Sequence, residues 1–162
     1  MNTPINEITI IIVLYEEETN LVLQCLENIK NFKIIIIDNA GNKLLKKVVE
    51  KKFEIYKYVL NEKNLDLPKG FNQAVELCDT EYILSLQADC LISNKDISIL
   101  LKSHKKYDNC FIASPTFYDK ELNLTYNGGN FPEKNDKKDV LNLEGDVCVE
   151  TILLSTILFK KK

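Results

Sequence analysis

The segment "KIIIIDN", residues 33–39, decides how the chain folds. Its four consecutive isoleucines do not alternate with polar residues, so a strand built from them is covered on both faces. A strand with two dry faces belongs inside a parallel sheet. It ends in a carboxylate, Asp38, which such a strand brings to the surface only at its tip.

Upstream, "ITIIIVL" (8–14) is a second apolar, β-branched run and reads as another buried strand. Between the two lies "EEETNLVLQCLENIK" (16–30), where Leu21, Val22, Cys25, Leu26 and Ile29 form a helical stripe behind an acidic first turn. Downstream, Leu44, Leu45, Val48, Val49 and Phe53 mark a second helix, and "IYKYVL" (55–60) is a third strand ending at Asn61. Residues 61–69 read as a loop, and "GFNQAVELC" (70–78) begins a third helix with Gly70 near its start. "YILSLQADC" (82–90) is an apolar strand that ends in Asp89. A helix over "SNKDISILLKSHKKY" follows, capped by Ser93 or Asn94, and then a short strand in "CFIASP" (110–115).

Strand and helix alternating in this way predict an α/β domain, a mostly parallel central sheet with helices on both faces. Past Pro115 the alternation stops. "TFYDKELNLTYNGG" (116–129) reads as a hairpin, "FPEKNDKKDVLN" (131–142) as a polar, mobile loop, and "DVCVETILLSTILF" (146–159) as a closing strand or pair of strands. Residues 1–162 are expected to form a single domain: 8–114 the alternating part, 115–162 the hairpin, loop and closing strand.

Composition sets bounds. With 21 basic and 24 acidic residues the net charge is −3, which argues against a nucleic-acid partner. The five cysteines, Cys25, Cys78, Cys90, Cys110 and Cys148, contain no C-x-x-C pair and are expected to be reduced and structural, all but Cys90 in apolar surroundings. No signal peptide is read at the N-terminus, and the apolar stretch 151–159 is too short to span a bilayer. The expectation is a cytoplasmic protein, free or at the inner face of the membrane. A homo-oligomer stays open, because the sheet has an unfinished edge. The Lys-, Asn- and Ile-rich usage suggests a bacterial genome.

Parallel sheets bind ligands beyond the carboxyl ends of their strands. Here those ends carry Glu16, Asp38, Asn61 and Asp89, all on one rim. Asp38 in "DNAGN" is either a turn former or a hydrogen-bond acceptor for a nucleotide base or ribose. Lys69 and Gly70 either belong to an ordinary helix start or meet a phosphate there. Asp89 is either a turn former or the ligand of a hard divalent cation, manganese or magnesium, facing a diphosphate. His104, beside Lys105 and Lys106, is expected to be an exposed surface residue.

Taken in order, these features resemble the family 2 glycosyltransferases of GT-A fold. "VLYEE" (13–17) is similar to a strand ending in Thr-Tyr-Asn, and "IIDNAGN" to one ending in Val-Asp-Asn-x-Ser. "NLDLPKGFNQA" (64–74) is similar to Asn-x-Gly-x-x-x-Gly-x-Asn-x-Gly, and "SLQADC" to a strand ending in Asp-x-Asp. The resemblance implies that Leu14, Tyr15 and Glu16 line a base pocket and that Asp38 contacts the base or ribose. It places Asn64, Lys69, Gly70 and Asn72 by the ribose and phosphates, Gln87 and Ala88 in the donor site, and Asp89 on the metal. It implies a nucleotide-diphospho-sugar donor and a glycan or lipid-linked acceptor, whose hydroxyl displaces the nucleotide with inversion. Bacterial surface polysaccharide or glycolipid is the implied product.

The chain departs from the pattern at three positions. Asp66 stands where the motif has glycine, Glu16 where it has asparagine, and Gln87 where it has an acid. In the family the general base lies beyond the strand that "VETILLSTILF" resembles, and the sequence ends at Lys162, so the acceptor half is expected to be missing. Tyr126, Gly128 and Gly129 resemble a segment near the donor sugar, and Asp146, at the start of the last strand, is a weaker candidate. The alternative is a non-catalytic nucleotide-sugar-binding module or truncated remnant. A receiver-type signalling domain shares the alternation, but the third strand ends in "LNEKN", with no aspartate to phosphorylate.

Overall fold

The computed structural model describes residues 6–126, 145–146, 149 and 152–161. Its main sheet has six strands in the order β3-β2-β1-β4-β8-β5. These are β1 (Ile8–Leu14), β2 (Lys33–Asp38), β3 (Lys57–Leu60), β4 (Tyr82–Leu86), β5 (Ile112–Ala113) and β8 (Thr156–Lys160). β1 runs parallel to β2 and β4, and β2 parallel to β3, whereas β8 lies antiparallel between β4 and β5. A hairpin of β6 (Phe117–Tyr118) and β7 (Leu124–Tyr126) forms a separate two-stranded sheet.

The isoleucine strand is buried throughout, as its sequence requires: Ile34, Ile35, Ile36 and Ile37 are all fully inaccessible. Its side chains divide between two cores. Ile34 and Ile36 join Ile8, Ile10, Ile12 and Leu84 on the face covered by α1 (Thr19–Ile29), α2 (Lys43–Lys52) and α4 (Asn94–Lys106). Ile35 and Ile37 join Ile11 and Ile83 on the other face, under Ala74 and Cys78 of α3 (Asp66–Leu77) and the helix end that follows it. Burying each isoleucine contributes about 1.5–3 kcal/mol, and this double-sided core is the main source of stability.

Several local expectations change. Glu16–Glu18 precede α1 rather than forming its first turn, which holds no acid, and Glu18 makes no side-chain cap. α3 starts at Asp66, so the expected loop is shorter and Gly70 lies inside the helix. Ser93, not Asn94, caps α4; its hydroxyl accepts from the Asp96 N–H while the Asp96 carboxylate accepts from the Ser93 N–H, a reciprocal capping box. His104 is buried, not exposed: its ring meets Tyr82 edge-on at 5.4 Å, and Nε2 lies 3.4 Å from the Phe111 carbonyl oxygen. The helical period places it on the same side as Ile97, Leu100 and Leu101, which outweighs its polar neighbours in sequence. Cys110 is only half-buried, and Cys148 and the loop over 131–142 lie outside the described residues. Among the described residues no helix is long and apolar enough to cross a membrane.

Candidate functional site

Parallel registration of β1, β2 and β3 brings their carboxyl ends to one rim. Leu14 pairs with Asp38, and Asp38 with Leu60. The chain then turns, and backbone bonds continue the alignment past the strands: the Asn39 N–H donates to Leu14 O at 2.8 Å, and the Asn61 N–H to Asp38 O at 2.9 Å. Beyond β4, Gln87 N–H donates to Ser155 O, and the Cys90 N–H closes a turn onto Gln87 O. Tyr15, Glu16 and Asp89 are exposed on this rim, and Ala88 is buried beneath it.

Asp38 is buried, and both its oxygens are engaged. Oδ1 accepts from the Ala40 N–H at 2.9 Å, the turn-forming bond that the residue type favours. Oδ2 accepts from the Tyr58 hydroxyl at 3.0 Å. Burial pushes the Tyr58 phenol well above its ordinary range, and the charge of Asp38 adds to it. Asp38 is therefore a turn former at the rim, 1% exposed, with each carboxylate oxygen already accepting a hydrogen bond from within the protein.

A chain of side-chain amides fixes the rim from the other face. Asn61 Nδ2 donates to Asn39 Oδ1 at 2.8 Å and to Gln73 Oε1 at 2.9 Å, while Asn39 Nδ2 donates to the Asp66 carbonyl at 3.3 Å. Asn39 is 2% exposed and ties β2 to the loop after β3 and to the start of α3. Sequence reasoning placed Asn61 on the rim but missed Asn39, Tyr58 and Gln73. The signal for Asn39 was a polar residue directly following a fully buried strand, where an unsatisfied amide would be costly.

Gly70 faces the sheet. A Cβ there would stand 2.9 Å from Val13 Cγ1 and 3.2 Å from Asn39 Nδ2. The close approach it permits is that of α3 to the sheet, and this seats Lys69, exposed at the end of the first helical turn, on the rim. Asn64 accepts from the Asp66 N–H at 2.8 Å, and Asn72 is exposed on α3.

Two departures from the family motif have a common backbone cause. Glu16 and Asp66 both adopt left-handed conformations, with φ of 64° and 63°. Asparagine and glycine, which the motif carries at these positions, take that conformation most readily. Glu16 and Asp66 hold this conformation at some cost.

The rim fits a hard cation only with help. Among the described residues no three His, Cys, Asp or Glu side chains converge to hold an ion. Asp89 offers one exposed carboxylate, with the Cys90 thiol 3.6 Å from its Oδ1. Its charge is also felt at Cys25 on α1, whose thiol is pushed up to about 12, mainly by burial. A single carboxylate matches the way magnesium-like ions bind, with waters and ligand phosphates completing the shell. The rim is otherwise rich in carboxylates, so a diphosphate would need such an ion beside it.

The other candidates lie apart. Asp146 Oδ2 accepts from Lys106 Nζ at 3.2 Å, at the end of α4 away from Asp89. A hydrogen bond from Ser103, with another from Lys106, holds its carboxyl below the usual range. Tyr126 packs against Phe117 in the hairpin, and Gly128 and Gly129 lie outside the described residues.

The model of glycosyl transferase family 2 matches residues 9–159. The chain belongs to that family, and its sheet is that of the GT-A nucleotide-diphospho-sugar transferase fold. Similar solved structures include the mannosyltransferase PcManGT of Pyrobaculum calidifontis in complex with GDP-Man and Mn2+. That match has 20% identity and TM-score 0.46 and covers 52% of this chain and 28% of that one. TarS of S. aureus matches at 22% identity and TM-score 0.48, over 61% of this chain and 20% of that one. TarS 1-349 in complex with UDP-GlcNAc matches at 20% identity and TM-score 0.48, over 61% of this chain and 32% of that one. The chain therefore spans about a third or less of the length of these proteins. No curated protein sequence matches it.

Proposed function

We propose that this chain is the donor-binding part of a metal-dependent, inverting glycosyltransferase that uses a nucleotide-diphospho-sugar. The observation that carries the proposal is the convergence of the β1, β2 and β4 tips on one carboxylate-bearing rim in a chain of glycosyl transferase family 2. In this reading Leu14, Tyr15 and Glu16 border the base, and Asp38, braced by Tyr58, accepts from base or ribose. Asn64, Lys69 and Asn72 face the ribose and phosphates, with Gly70 acting by seating the helix that presents them. Gln87 and Ala88 shape the floor beneath Asp89, which holds a manganese or magnesium ion. That ion would neutralise charge on the leaving diphosphate.

The acceptor is a hydroxyl of a glycan or lipid-linked sugar, and bacterial surface polysaccharide or glycolipid is the product class. Asp146, the one carboxylate of the last segment weighed for the acceptor's proton, is held at the far end of α4 by Lys106. A base supplied from outside the described residues completes the reaction. The second reading, a binding module without transfer activity, rests on this same observation.

Calorimetric titration with UDP, GDP and dTDP, each with and without manganese, tests the proposal. Saturable binding of one of the three, strengthened by manganese, supports it; no binding of any removes it. Release of nucleoside diphosphate from the matching donor sugar then separates enzyme from binding module.

A further inference from the structure

α2, "KLLKKVVEKK", carries five lysines and one glutamate in a chain whose net charge is −3. Leu45 and Val49 turn inward to the core. The opposite face presents Lys43, Leu44, Lys47, Val48 and Lys51, which at 3.6 residues per turn fall within an arc of roughly 140°. Leu44 is 75% exposed and Val48 43%. One turn apart, they form a short apolar ridge bordered by cations.

The remaining charges of the helix are used internally. Lys46 pairs with Glu50 at 3.6 Å and donates to the Tyr58 carbonyl, and Lys52 reaches Glu27 at 3.9 Å. Lys43, Lys47 and Lys51 pair with no described carboxylate. The helix is therefore neutralised at its flanks and left cationic on its outer face.

We propose that this outer face of α2 docks the chain on an anionic lipid bilayer. Charge complementarity selects a negative surface, and the apolar ridge selects among negative surfaces. A nucleic-acid backbone gives Leu44 and Val48 nothing apolar to enter, and a ridge on a helix is convex, suited to insertion rather than to receiving a peptide. A bilayer interface offers headgroup anions and acyl chains at adjoining depths, as this juxtaposition requires. The contact is peripheral and reversible, since one ridge and three lysines supply a modest affinity.

Co-sedimentation of the 162-residue chain with vesicles tests this, using phosphatidylcholine alone or with about 30% phosphatidylglycerol. Binding is expected on the anionic vesicles only and weakens as salt rises. The pair Lys47→Glu and Lys51→Glu lowers it by more than about tenfold. Leu44→Ser, which leaves the charge unchanged, lowers it roughly fivefold. Circular dichroism shows whether each variant keeps the fold, and Lys47→Gln with Lys51→Gln repeats the test where it does not. Equal binding to neutral vesicles, or binding unchanged in the lysine variants, overturns the proposal. So does capture by soluble polyglutamate with no loss on Leu44→Ser, which would make the face a docking surface for acidic protein.

Discussion

The Tyr58 hydroxyl donates to Asp38 Oδ2 at 3.0 Å, joining an edge strand to the tip of the buried isoleucine strand beside it. The bond gives an almost inaccessible carboxylate oxygen a partner at the rim. Its pH dependence has a definite sign. Burial and the neighbouring charge raise the folded-state pKa of Tyr58 above its ordinary 10.0. The stability it contributes is fully present below about pH 10 and is lost as pH rises from there toward the higher folded-state value. Tyr58→Phe should cost roughly 1–2 kcal/mol at pH 7 and flatten the alkaline loss, as measured by urea midpoints from pH 7 to 11. An unchanged alkaline slope would assign the titration to another group.

Asn39 is predicted to be the residue on which the rim's rigidity depends. Asn39→Ala removes one of the two acceptors of Asn61 Nδ2, which keeps Gln73, and the side-chain donor to Asp66 O. A loss of about 1–3 kcal/mol in chemical denaturation is expected, with faster amide exchange at Asn61 and Asp66 than elsewhere. Exchange that rises evenly over the whole sheet would show a general packing loss instead.

Three positive-φ positions make opposite predictions. Glu16→Asn and Asp66→Gly restore residues suited to left-handed backbone and should raise the unfolding midpoint, each by up to about 1 kcal/mol. Gly41→Ala should lower it by about 2 kcal/mol, because φ is +64° and the new Cβ would lie 2.9 Å from Asn61 O. Stabilisation by Gly41→Ala would mean that the turn relaxes freely.

Much of this was legible in the sequence because it depends on local patterns. The isoleucine run could be nothing but a two-faced strand, and its predicted bounds stand. The rim followed from the parallel order alone. What escaped depends on partners distant in sequence. Tyr58 meets Asp38 across 20 positions, and no spacing rule announces it. His104 looked exposed beside two lysines but falls on the inward side of α4. Gly70 read either as an ordinary helix start or as a place for a phosphate, and its close approach to Val13 and Asn39 exists only once helix and sheet are packed.

The most direct test is the metal linkage of nucleotide binding through Asp89. Calorimetry with the preferred nucleoside diphosphate should show affinity rising at least about tenfold on adding manganese. In Asp89→Ala that gain should vanish while the metal-free affinity persists, and the fold should be unaffected because the side chain is exposed. Binding that is equal with and without manganese, and equal in wild type and Asp89→Ala, would contradict the assignment and leave Asp89 an ordinary turn residue.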